Sequence, residues 1–155
     1  MNNEVNMQKF LIDKFIREVK NRHPKKTFGY FLSGDYDNEP DDFYIFNKDV
    51  RNNLKNQFEE YGNYYVIHED AGFLASDEEL VEFHRKLAIE GKHIVGVFHS
   101  HQRHPAIFSK VDVDMHPSEK LWHLIISMRN CELPQIKIFK IENDMVKEIT
   151  LNVQE

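Results

Sequence analysis

The chain predicts a mixed α/β domain organised around one sheet, and three observations carry that prediction. Apolar residues recur at three-and-four spacing over residues 7–22 and 80–89, the mark of helices with one buried face. Short runs at 27–32, 43–46, 93–98 and 121–128 are instead rich in aromatic and β-branched residues, which suit strands. Residues 134–141 and 145–153 alternate apolar and polar side chains around Glu142, Asn143 and Asp144, the pattern of a terminal hairpin.

Each element follows from local chemistry. The first helix presents Phe10, Leu11, Phe15, Ile16 and Val19 on one face and ends near His23-Pro24, because proline cannot continue it. Strand 27–32 precedes an Asp- and Asn-rich loop at 35–42 and a second strand at 43–46, together a hairpin. Residues 49–62 are polar and read as a short helix or an insertion, with short strands at 64–68 and 72–75. Ser76 followed by Glu79 has the form of a capping box, opening a helix with Leu80, Val81, Phe83, Leu87 and Ile89 that Gly91 closes. Strand 93–98, a short helix from Ser109 and strand 121–128 complete the order.

Composition removes several function classes. At 155 residues the chain is expected to form one domain, 1–155. A net charge of -6 and the lack of a basic stripe argue against nucleic acid as a partner. The single Cys131 cannot form an intrachain disulfide, and the N-terminus lacks a secretory pattern, so a reducing cytoplasm is the expected setting. Apolar runs of a few residues fall far short of the roughly 20 that a membrane helix needs. No membrane association is expected.

Chemistry concentrates in one string. His99, Ser100 and His101 follow the apolar run 94–98, and Ser109 and Asp112 follow seven residues later in the pattern S-x-x-D. Alternation along a strand would send both imidazoles to one face. Asp112, after a loop long enough to turn back, would supply a third ligand. Two His and one carboxylate, with a fourth position open to water, are the ligand set of a catalytic zinc site. The His pair alone is a weak signal among nine His residues. Ser109 and Asp112 also read as a helix N-cap with an acid in its first turn, and the two readings are compatible. Other zinc signatures drop out. The H-E-x-x-H pattern is absent, a deaminase site needs a Cys pair, and Arg103 replaces the acid of the H-x-H-x-D-H string of metallo-β-lactamase-like hydrolases. An amidohydrolase barrel needs roughly 200 or more residues.

The full string, preceded by Gly96-Val97-Phe98, resembles that of the JAMM (MPN-type) zinc metalloproteases. Pro105-Ala106 inside the loop and Leu124-Ile125-Ile126-Ser127 after it agree with small bacterial members, whereas Gln102 and Phe108 stand where prolines are common. The resemblance runs over about residues 7–141 in the family's order of elements. It implies a single-domain MPN fold, a mixed and mostly antiparallel curved sheet flanked by helices, similar to that of cytidine deaminases. It also implies Zn²⁺ held by His99, His101 and Asp112, with Ser109 hydrogen-bonding the reacting group. The implied partner is the C-terminal tail of a ubiquitin-like or sulfur-carrier protein, or a peptide.

One position departs from the family. Aligning Pro24 and Gly29 on its pattern places Lys26 where a glutamate acts as general base. An ammonium beside Zn²⁺ is a poor base, since neighbouring cations repel. Three options follow: a base from another segment, with Glu18, Glu39 and Glu69 as candidates; a shifted alignment or a group from the substrate; or a member that binds metal but serves as a binding or scaffold module. His104 and His116 flank the loop and read as exposed side chains. Trp122 and His123 read as packing residues, and Cys131 has no spacing to a His that suggests a nucleophile.

Overall fold

The computed structural model describes residues 3–47, 75–108 and 119–155. Among these, the chain runs β1 (Glu4–Gln8), α1 (Lys9–Arg22), β2 (Phe28–Ser33), β3 (Asp42–Ile45), α2 (Asp77–Glu90), β4 (His93–His101), β5 (Trp122–Ser127), β6 (Gln135–Glu142) and β7 (Met145–Gln154). The seven strands form one sheet in the order β1-β7-β6-β5-β4-β2-β3. Pairing is antiparallel except between β1 and β7 and between β4 and β5. The expected mixed, mostly antiparallel sheet with flanking helices is what the chain forms.

Local signals set most boundaries. In α2, Ser76 Oγ accepts the Glu79 N–H at 3.3 Å, and Gly91 ends the helix at φ 67, a left-handed conformation that glycine adopts without strain. The Glu79 carboxylate accepts the Asn47 N–H at 2.7 Å, so the cap also ties α2 to the end of β3. Asn143 and Asp144 both have positive φ and make the tight turn of the β6–β7 hairpin. The first helix starts at Lys9, later than its periodicity suggests. Val5 and Met7, both fully buried, alternate with polar neighbours and belong to β1, held by parallel pairing to β7. The readings at 49–62, 64–68 and most of 72–75, and the short helix from Ser109, lie outside the described residues.

The two faces of the sheet differ. On one, α1 lays Leu11, Ile12, Phe15 and Val19 against Phe31, Phe98, Trp122, Leu124 and Ile126. Phe15 sits 5.0 Å from Phe31 and 4.9 Å from Phe98 between ring centroids, near the favoured range for aromatic pairs. Gly96 belongs here because a Cβ would lie 2.5 Å from the Trp122 ring. On the other face, α2 packs Phe83 and Leu87 on Phe28, Leu32 and Val97, while Ala106 and Phe108 cover Ile125, Phe139 and Ile141. Among the described residues, no helix is long and apolar enough to cross a membrane.

Candidate metal centre

Alternation along β4 decides where its chemistry points. Phe98 faces the α1 core, so His99 and His101 leave the strand on the opposite face, each 2% exposed. They stand at the carboxyl end of β4, where its neighbours diverge in sense. β5 is parallel to it and β2 antiparallel. A parallel neighbour demands a crossover connection rather than a hairpin, and the carboxyl ends of such strands are where open sheets bind ligands.

The two imidazoles converge. His99 Nε2 lies 3.1 Å from His101 Nε2. His101 Nδ1 lies 3.0 Å from the Pro105 carbonyl oxygen. A carbonyl only accepts, so that contact uses an Nδ1 proton of His101 and turns its Nε2 toward His99. Two nitrogens bound to one tetrahedral zinc at about 2.0–2.1 Å would stand about 3.3–3.4 Å apart, close to the spacing found. A carbonyl holding the distal ring nitrogen is also the usual support of a metal-bound histidine. The pair therefore fits a metal ion.

The loop after β4 is built to hold that carbonyl. Met128 N–H donates to the His101 carbonyl at 2.7 Å, Ser127 Oγ donates to the His104 carbonyl at 2.5 Å, and Ala106 N–H donates to Gln135 Oε1 at 3.2 Å. Phe108 stacks on His123 at 4.7 Å and lies 5.9 Å from Phe139. Pro105 is thus pinned to β5 and β6. Sequence reasoning did not foresee this role for the Pro105 carbonyl or Gln135; the residues were legible, but the contacts join segments far apart in the chain. Ser100 serves the strand, its N–H donating to the Thr27 carbonyl and its Oγ accepting the Thr27 N–H, each at 2.8 Å. Trp122 and His123 pack: Trp122 is 6% and His123 2% exposed, and the indole N–H donates to the Asp37 carbonyl at 2.9 Å.

The remaining candidates separate. Lys26 stands one step before Thr27, whose carbonyl accepts the Ser100 N–H at 2.8 Å, just past the last β2–β4 pair, Phe28 with His99, and its Nζ is shielded from solvent. Glu18 is carried by α1, which packs on the face away from His99 and His101. Glu39 is exposed in the β2–β3 connection, its carbonyl accepting from Ser33 Oγ at 3.0 Å, at the end of β2 remote from Lys26. Neither glutamate reaches the histidines as a general base, because the sheet separates one and the length of a strand the other. Ser109, Asp112, Glu69 and His116 lie outside the described residues. Among the described residues, no group of three or more His, Cys, Asp or Glu converges on a metal position. His104, expected to be exposed, has its Nδ1 buried.

Comparison with known proteins places the chain. The family model described as prokaryotic homologs of the JAB domain matches residues 8–141. Protein DSY2949 from Desulfitobacterium hafniense has a similar fold, with a TM-score of 0.72 at 20% identity, covering 97% of this chain and 93% of its own. A JAB1/MPN domain protein from Archaeoglobus fulgidus, AF2198, gives 0.55 at 14% identity, covering 97% and 100%. A structure described as JAMM, a metalloprotease-like zinc site in the proteasome and signalosome, gives 0.54 at 14% identity, covering 97% and 98%. The chain finds no match among curated proteins. Motif, sheet order and family match agree, and the chain belongs to the family of prokaryotic JAB-domain homologues.

Proposed function

We propose that the protein is a zinc-dependent peptidase or isopeptidase of the JAMM type, acting after the C-terminal tail of a ubiquitin-like or sulfur-carrier protein. The observation that carries the reading is the buried His99–His101 pair with facing Nε2 atoms and His101 oriented by Pro105. Asp112 would complete the ligand set, leaving one position open. When loaded, such a site supplies a water whose pKa falls to about 7. The Ser109 hydroxyl would donate to the oxyanion that develops on the scissile carbonyl. The substrate tail would lie as an added strand along a sheet edge. The general base is unassigned: Glu18 and Glu39 stand away from the histidines, and Glu69 lies outside the described residues. A cytoplasmic setting is part of the proposal and suits the exposed free thiol of Cys131.

A second reading is favoured by one observation, the place of Lys26 beside Thr27, which bonds Ser100 between the two histidines. A cation there does not take a proton from water, so metal could be retained while hydrolysis is weak and the domain acts mainly by binding. Zinc analysis of purified protein, with cleavage of carrier-protein fusions by the parent and Asp112→Ala, separates the two. The peptidase reading expects about one equivalent of zinc and cleavage at the carrier's C-terminal glycine that Asp112→Ala abolishes. Retained zinc without cleavage supports the binding module. Less than about half an equivalent of zinc sinks the site assignment itself.

A further inference from the structure

We propose that Gln135 and Ser127 are positioning residues for the metal: by aiming the Pro105 carbonyl at His101 they set how tightly the site holds zinc. The inference rests on the metal reading above and deepens it, naming what keeps one ligand in its binding orientation. His101, Ser127 and Gln135 stand in one row across three strands, His101 paired with Ser127 and Ser127 with Gln135. The loop after β4 returns to that row. His104 bonds Ser127 and Ala106 bonds Gln135, so the residue between them, Pro105, is held from both sides.

Peptide planarity turns those two bonds into an aiming device. The unit joining Pro105 to Ala106 is trans, since the cis bond among the described residues is His23-Pro24, so its C=O and N–H point in opposite directions. Gln135 Oε1 accepts the Ala106 N–H at 3.2 Å. The Pro105 oxygen on the far side of the same plane is thereby directed at His101 Nδ1, 3.0 Å away, and its second lone pair accepts the Ile107 N–H at 2.8 Å. The preceding unit ends in proline and has no N–H, so it can be held only by its carbonyl. Ser127 Oγ donates to that carbonyl at 2.5 Å. The proline ring fixes φ, and two held planes fix ψ. Ala106 is 1% exposed, and its buried N–H needs an acceptor, which Gln135 supplies from the rim. Without that acceptor the plane is free to rotate, and the carbonyl no longer fixes the imidazole.

Zinc affinity of the full chain, measured by competition with a chromophoric chelator, tests this, with thermal melts of the metal-free proteins alongside. Gln135→Met keeps the length of the side chain and removes the acceptor; it should weaken zinc binding by about 10–100-fold, the usual effect of losing a partner of a metal-bound histidine. Gln135→Glu keeps an acceptor oxygen and should bind zinc no more than about threefold more weakly than the parent. Ser127→Ala should weaken zinc in the same direction as Gln135→Met. Because Gln135 is exposed, the metal-free melting temperature of Gln135→Met should fall by less than about 4 °C. Less than about tenfold weakening in Gln135→Met overturns the proposal and leaves the metal reading standing. So does a loss in Gln135→Glu equal to that in Gln135→Met, since the acceptor would then not be what matters. A larger fall in metal-free melting temperature marks a structural role and overturns it as well. A parent that holds no zinc overturns the metal reading and this inference with it. Should Ser127→Ala fail to fold, the two Gln135 variants decide.

Discussion

The two faces of β4 are made by the same nine residues and do opposite work. Gly96 and Phe98 point into a dry aromatic core under α1, where Phe15, Phe31, Phe43 and Trp122 gather around them. His99 and His101, one residue further along, point to a face where α2 covers one part and the loop through Pro105 another. On the first face volume and shape matter. On the second, the direction of single lone pairs matters. Strand alternation lets one strand be anchored by packing on one side and hold titratable groups on the other, so the groups inherit the rigidity of the core without being part of it.

Phe98→Ala attacks the first face and has the largest expected effect. Removing a fully buried phenylalanine from the aromatic cluster should lower the free energy of unfolding by about 3–5 kcal/mol, read by denaturant titration. The folded fraction should still bind zinc. Loss of zinc in the folded protein would show that the faces are coupled rather than separate. His101→Ala attacks the second face. Loss of a proposed ligand should weaken zinc affinity by more than about 100-fold, beyond what loss of an outer partner does, with a smaller change in metal-free stability than Phe98→Ala gives.

A finer test uses Tyr30, which packs between Phe46 and Phe83 on the α2 side. Burial holds its hydroxyl above the ordinary 10.0. Stability tied to that shift is fully present below pH 10.0 and is lost as pH rises through the folded-state value. Tyr30→Phe has no proton to lose, so its stability should fall less than the parent's between about pH 9 and pH 11, measured by thermal melts. An equal fall in both proteins would mean that this side of the sheet is wetter than its packing indicates.

The smallest effect is expected at Thr27, whose buried Oγ1 has no hydrogen-bond partner among the described residues. Thr27→Val removes the desolvation cost of that hydroxyl and should stabilise by up to about 1 kcal/mol, provided the backbone bonds to Ser100 are kept. A destabilised variant would show that the hydroxyl has a role the packing does not reveal.

Legibility in the sequence follows the range of the interactions. The α2 cap at Ser76, the stop at Gly91 and the β6–β7 turn depend on neighbours within a few residues, and all were readable. The helix periodicity at 7–22 takes in only the last two residues of β1, Met7 and Gln8, and the alternation of Val5 and Met7 with polar residues does not stand out as a strand. Five residues of alternation are a weak signal until β7 offers its edge. Glu18 and Glu39 show the reverse case: carboxylates plausible by type, excluded by the sheet and by distance.

The sequence by itself determined the family, the alternation that sends His99 and His101 to one face, and the presence of Lys26 before the first long strand. The tertiary structure decided that the two Nε2 atoms face each other at 3.1 Å, that Pro105 orients His101, and that the Nζ of Lys26 is shielded from solvent. The reason is physical. A period is a property of consecutive residues, whereas a lone pair is aimed by partners that only folding brings close, here Thr27 against Ser100 and Ala106 against Gln135.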